Sequence, residues 1–253
     1  MSRTKRVVVL GGSSGIGEAT ALRFADEGWQ VAAAAPDLSA VKSVCGRLSG
    51  SGHLAGLLDV TQENDIRGFE QLLSRRWKGS FDVLVNSVGV STPVPVLDPD
   101  FDRWETPLKV MLTGSVQTIR RLVTMITDGG RIINITSIHH ERVAPGNSAY
   151  GMAKAAITQF TRALAIELAP RGILANCIAP GFVRTPMSIK EDGKSELDSE
   201  WFQDNYIRYG HLPLKRAAEP EEIAGVAWFL AGPDATYITG AVLTVDGGLT
   251  ITF

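Results

Sequence analysis

Val7-Val8-Val9-Leu10 runs straight into Gly11-Gly12-Ser13-Ser14-Gly15-Ile16-Gly17, and beyond it Ala19, Ala21, Leu22 and Ala25 recur at helical spacing. The segment reads as a buried strand, a glycine turn and a helix. Residues without a Cβ let the backbone approach a pyrophosphate and let the helix pack closely on the strand, while the helix N-terminus attracts negative charge. Gly11, Gly15 and Gly17 would shape such a loop, Ile16 would open the helix, and Ser13 and Ser14 would add hydroxyl donors. A tight strand-to-helix turn with no ligand uses the same residues, so the loop needs corroboration.

The rest of the chain repeats the strand and helix theme. Short apolar runs at 6–10, 30–35, 54–58, 82–86, 131–136, 173–179 and 241–245 are nearly continuous, as strands buried on both faces are. Helical patterns fall between them at 15–28, 38–49, 62–78, 101–127, 148–170 and 219–231. Alternation of this kind implies right-handed crossovers and an α/β fold: a doubly wound, Rossmann-like parallel sheet of about seven strands with helices on both faces. One domain spanning 1–253 accommodates it. The long aperiodic stretch at about 186–212 is expected to be a substrate lid or a subunit contact, since it mixes Met187, Trp201, Phe202, Tyr206 and Tyr209 with many charges.

Composition narrows the partners. Lys and Arg number 25 against 27 Asp and Glu, a net charge of -2, which gives no field to draw the protein onto nucleic acid or anionic lipid. A small-molecule substrate fits better. Cys45 and Cys177 are the only cysteines, so neither a disulfide framework nor a cysteine metal site is suggested, and a reducing, cytoplasmic setting is expected. Val7–Leu10 is too short for a signal-peptide core, and no run reaches the roughly 20 apolar residues of a membrane span.

Tyr150 and Lys154 stand at i and i+4 on a pattern carried by Ala153, Ile157, Phe160 and Leu164, so they share one face of a helix. A phenol beside an ammonium is expected to fall from about 10 toward working pH, ready to exchange a proton with an alcohol or ketone oxygen. Alone, such a pair also fits an ordinary surface helix. Thirteen residues earlier, Ile132-Ile133-Asn134-Ile135-Thr136-Ser137 ends a strand with a hydroxyl where this fold opens its ligand crevice.

Taken in order, the glycine loop, Asp59-Val60, Asn86-Ser87-Val88-Gly89, Ser137, Tyr150 with Lys154, and Pro180-Gly181 resemble the short-chain dehydrogenase/reductase family of the Tyr-x-x-x-Lys type, across residues 7 to 248. The resemblance implies that Ser137 polarises the reacting oxygen and that Tyr150 is general acid/base. Lys154 would lower the tyrosine and hold the nicotinamide ribose. It further implies that Asp59 with Val60 meets the adenine, that Asn86 and Gly89 line the cofactor cleft, and that Pro180, Gly181, Val183 and Thr185 receive the nicotinamide end. By the residues alone, Asp59 equally fits a helix cap and Pro180-Gly181 a simple loop.

Three features depart from the family pattern or leave choices open. Met111, in Val110-Met111-Leu112-Thr113-Gly114, stands where the family carries an Asn of the proton relay, and a thioether accepts weakly and donates nothing. NAD and NADP are both open: Ala35 occupies the place of the NAD-selecting acid, no Arg follows, and Asp37 either reaches the ribose or caps the next helix. His139-His140-Glu141 reads first as a solvated loop and only second as metal ligands, so no metal is assigned.

The leading expectation is therefore an NAD(P)-dependent alcohol dehydrogenase or carbonyl reductase acting on CH–OH groups, homotetrameric by resemblance. The alternative is a cofactor-binding sensor or assembly partner with weak or no catalysis, its relay cut at Met111.

Overall fold

The computed structural model describes residues 4–91, 93–190 and 192–252. Residues 1–3 and Phe253, the ends of the expected domain, lie outside them, as do Thr92 and Glu191, the latter within the expected lid. In chain order the elements are β1 Arg6–Leu10, α1 Gly15–Asp26, β2 Gln30–Ala35, α2 Leu38–Cys45, β3 Leu54–Leu57, α3 Glu63–Trp77, β4 Phe81–Asn86, α4 Phe101–Pro107 and α5 Ser115–Leu122. There follow β5 Ile126–Ile135, α6 Ser148–Glu167, β6 Leu174–Pro180, the single turn α7 Glu200–Phe202, α8 Pro220–Ala231 and β7 Val242–Val245.

The seven strands pair in the order β3-β2-β1-β4-β5-β6-β7. Every pairing is parallel. Successive residues of a strand face opposite layers, and the apolar runs fill both. Val7, Val9, Val31 and Ala33 join Phe24, Val41 and Ala227 of α1, α2 and α8 in one core. Val8, Leu10, Ala32 and Leu84 join Ile66, Phe69, Ile119 and Leu164 of α3, α5 and α6 in the other. Each fully buried large side chain contributes about 1.5–3 kcal/mol relative to exposure, so the two cores dominate stability.

Strand order reverses between β1 and β4, and a crevice opens there at the carboxyl ends of the strands. The helix expected over 101–127 is interrupted. Pro107, which lacks an N–H, closes α4, and Leu108–Gly114 forms a widened π-helical turn before α5. Gly114 lets this turn cross Val60, whose carbonyl oxygen would stand 2.7 Å from any Cβ there. Residues 126 and 127 belong to β5 rather than to the helix, because the chain turns to pair Ile126 with Phe81.

Candidate active site

The glycine-loop end of the cleft is built from backbone. Gly11 has φ +73° and a Cβ there would lie 2.6 Å from the Ser87 carbonyl oxygen, while a Cβ on Gly17 would lie 2.1 Å from the Gly11 oxygen. The loop thus folds onto the exit of β4 only with glycine at both places. Ser14 is the N-cap of α1 in extended conformation and makes no side-chain cap bond, so the first amides of the helix and its positive end are left for another acceptor. Ser13, Ser14, Gly15 and Ile16 wall a cavity of about 820 Å³. Gly17 does not line it: that glycine serves the packing of α1 on the loop. An uncapped helix end opening into a large cleft fits the diphosphate of a dinucleotide.

Beyond the loop, Ala35, Pro36, Leu58, Asp59, Val60 and Thr61 continue the cavity wall. The Asp59 carboxylate accepts from the Thr61 amide and hydroxyl at 2.9 and 2.7 Å. Asp37 takes the second of its two expected roles: it caps α2, accepting from Ser39 and Ala40 amides at 2.8 and 3.1 Å.

Gly89 lines the cavity, but Asn86 does not. The expectation that Asn86 forms the cleft wall is corrected by its burial: its amide nitrogen donates to Asn134 Oδ1 over 3.0 Å, and its own oxygen accepts from Val88 N. Asn134 in turn donates to the Thr161 hydroxyl at 2.9 Å. Three polar side chains therefore tie β4, β5 and α6 together behind the site, each satisfied within the core.

Pro180 ends β6, and it lines the cavity together with Gly181, Val183 and Thr185, which follow the strand. Gly181 fits against Asp246, whose Cβ would be 2.8 Å from a Cβ at 181.

Ser137, Tyr150 and Lys154 meet on the cavity wall. Gly146, at φ +75°, turns the chain into α6, which carries Tyr150 and Lys154. Burial pushes the Tyr150 phenol above its ordinary value, and a hydrogen bond to Ser137 pulls it back. The Lys154 ammonium lies over the tyrosine ring, 5.6 Å from its centroid, and donates to the Ile135 carbonyl oxygen at 3.0 Å. The spacing had suggested that this charge would depress the phenol. Instead burial governs the tyrosine, and it also brings Lys154 down to about 8, against a smaller upward pull from Cys177. Met111, at the expected relay position, is buried within the π-helical turn.

His139 lines the cavity, and the His140 side chain is only 7% exposed. The two histidines are therefore packed in rather than solvated, while Glu141, 70% exposed, keeps the expected solvated position. Met187, Glu196, Leu197, Trp201 and Tyr206 of the 186–212 stretch also reach the cavity. Sequence reasoning missed the chain's last described turn: Leu249, Thr250 and Thr252 border the same space, and Arg142 donates to the Thr250 carbonyl oxygen. The signal was present in Gly247 and Gly248, both at positive φ, which bring the chain back over the cleft.

A doubly wound parallel sheet opens a crevice whose wall carries both the glycine loop and the cluster of Ser137, Tyr150 and Lys154. Known proteins agree. The family model described as "Enoyl-(Acyl carrier protein) reductase" matches residues 11–250. Glucose 1-dehydrogenase of Gluconobacter oxydans is 37% identical, covering 98% of this chain and 92% of its own. A 3-oxoacyl-[acyl-carrier-protein] reductase of Mus musculus is 36% identical over 98% and 99% of the two chains. The structure of a short-chain dehydrogenase/reductase from Serratia marcescens superposes with a TM-score of 0.87 at 32% identity, covering 97% of this chain and 98% of that one. The chain belongs to the short-chain dehydrogenase/reductase family and is an oxidoreductase of that family. No helix among the described residues is long and apolar enough to cross a membrane.

Proposed function

We propose that this protein interconverts an alcohol and a carbonyl on a small molecule, with NAD or NADP as partner. The observation that carries the reading is the placement of Ser137, Tyr150 and Lys154 on the wall of a cavity that also holds the uncapped end of α1. In this reading the Gly11–Gly17 loop holds the diphosphate, Asp59 and Val60 the adenine side, and Gly89, Val183 and Thr185 the nicotinamide side. Asn86 supports the cleft from behind. When bound, the nicotinamide supplies the hydride acceptor or donor.

The remaining steps belong to the chain. The Tyr150 oxygen takes the hydroxyl proton during oxidation and returns it during reduction. Ser137 Oγ accepts from the His139 amide at 3.2 Å, and its hydroxyl, hydrogen-bonded to Tyr150, turns its proton to the substrate oxygen when the substrate binds. Lys154, fixed by Ile135, presents its remaining donors to the ribose and favours negative charge on the phenol as it develops. Relatives named as a dehydrogenase and as a reductase fit a reaction that runs either way. By resemblance, the four-residue spacing of Tyr150 and Lys154 favours C=O over enoyl chemistry. The segment 186–212 acts as a lid on a single catalytic domain, and the protein is a cytoplasmic homo-oligomer, tetrameric by resemblance.

A second reading, dinucleotide binding with weak turnover, rests on Met111. One screen separates the two: titrate NADH and NADPH by fluorescence, then assay ketones, sugars and secondary alcohols with wild type and Tyr150→Phe. Turnover that disappears in Tyr150→Phe supports the enzyme; binding without such turnover supports the sensor.

A further inference from the structure

We propose that His139 selects substrates bearing a second hydroxyl group close to the reacting carbon. The inference rests on the reading of Tyr150 as the proton-exchanging group.

The mounting of His139 is rigid. Ile138–His140 is a single tight turn after β5, capped by Ser137, whose hydroxyl accepts the His139 amide. The His139 carbonyl presses on the first turn of α6, where a Cβ at Gly151 would lie 3.1 Å from its oxygen. Its ring stands edge-on to Tyr150, with centroids 5.8 Å apart and planes at 83°. The turn, the general acid/base and Ser137 therefore form one packed unit.

The chemistry of the ring follows from its contacts. Nδ1 lies 3.2 Å from the Arg142 carbonyl oxygen, which can only accept. In the neutral ring Nδ1 therefore holds the proton and Nε2 carries the lone pair. Nε2 has no hydrogen-bond partner among the described residues, and His139 lines the cavity. Glu196, half-buried on the lid, lines the same cavity, and its carboxylate makes no ion pair or hydrogen bond among the described residues. Two acceptors thus lack donors among the described residues. A ligand satisfies them by bringing hydroxyl groups beyond the one that Tyr150 and Ser137 engage. A simple ketone would leave both lone pairs unsatisfied as it displaced water from them.

The test compares kcat/KM for 2-hydroxycyclohexanone and 3-hydroxycyclohexanone with that for cyclohexanone, in wild type, His139→Phe and His139→Gln. Wild type is expected to prefer at least one hydroxyketone by about tenfold or more. The preference collapses toward unity in His139→Phe and returns in part in His139→Gln, whose side-chain oxygen can accept. A wild type without preference, or a preference that survives in His139→Phe, overturns the proposal. Should the protein bind NAD(P)H yet turn over none of the three ketones, the hydride-transfer reading fails instead. Saturation-transfer NMR of the same ketones with wild type and His139→Phe then decides the assignment of His139: a binding preference that depends on the imidazole upholds it, and equal binding removes it.

Discussion

The Lys154 ammonium, 5% exposed, donates to the carbonyl oxygen of Ile135 over 3.0 Å. Burial lowers this lysine from 10.5 to about 8. Between those values the unfolded chain binds the proton and the folded protein does not, so the cost of this group to folding shrinks as pH rises through that window. Its burial penalty is complete below about 8 and vanishes near 10.5. Lys154→Met is therefore expected to be more stable than wild type at pH 6 to 7, with the difference closing toward pH 10.5. Paired denaturation curves across pH check this, and a difference independent of pH would show that the ammonium is well solvated.

Gly17→Ala places a methyl 2.1 Å from the Gly11 carbonyl oxygen, which is backbone and has no rotamer by which to yield. A loss of about 3 kcal/mol or more is expected, together with weaker NAD(P)H binding. Gly28→Ala is the control, because nothing lies within 4 Å of its Cβ and only its φ of +80° opposes the change. That strain costs about 1 kcal/mol. Urea titrations of both variants test the contrast.

Asn134→Leu removes the middle of the Asn86, Asn134 and Thr161 chain, leaving the Asn86 amide nitrogen without its partner inside the core. Unfolding free energy should drop by about 2–3 kcal/mol. Hydrogen exchange at β4 and β5 would report the loosening locally.

Asp37→Ala deletes the acceptor of the Ser39 and Ala40 amides. Stability is expected to fall by about 1 kcal/mol. The ratio of NADH to NADPH affinity should stay as in wild type, because the carboxylate is committed to the helix. A changed ratio in fluorescence titrations would place Asp37 at the ribose instead.

Met111→Asn reinstates a group able both to accept and to donate at the π-helical turn. Turnover should rise if the relay limits the rate, while stability falls by about 1–3 kcal/mol because an amide replaces a buried thioether. Turnover equal to or below that of wild type removes the relay argument.

Where sequence reading succeeded, the signal was local. The seven apolar runs lie within a few residues of the strands because each strand is buried on both faces, and Gly11 to Gly17 announce a turn that only glycine can make. The failures share a cause in contacts distant along the chain. Asn86 turns inward because Asn134, 48 residues on, receives its amide. The break after Pro107 depends on how the turn crosses Val60. Thr250 reaches the cavity beside Arg142 from 108 residues away. Likewise, i,i+4 spacing put Tyr150 and Lys154 on one face but said nothing of Ile135, which decides where the ammonium points.

The strand order also bears on how the chain is made. β1 comes first and ends near the centre of the sheet; β2 and β3 extend it to one side, and β4, β5, β6 and β7 extend it to the other in the sequence of their synthesis. No strand has to be inserted between two that are already paired. A nascent chain can therefore add each new strand to an open edge as it leaves the ribosome, so every partly translated length through β6 exposes a growing edge that the next strand will cover.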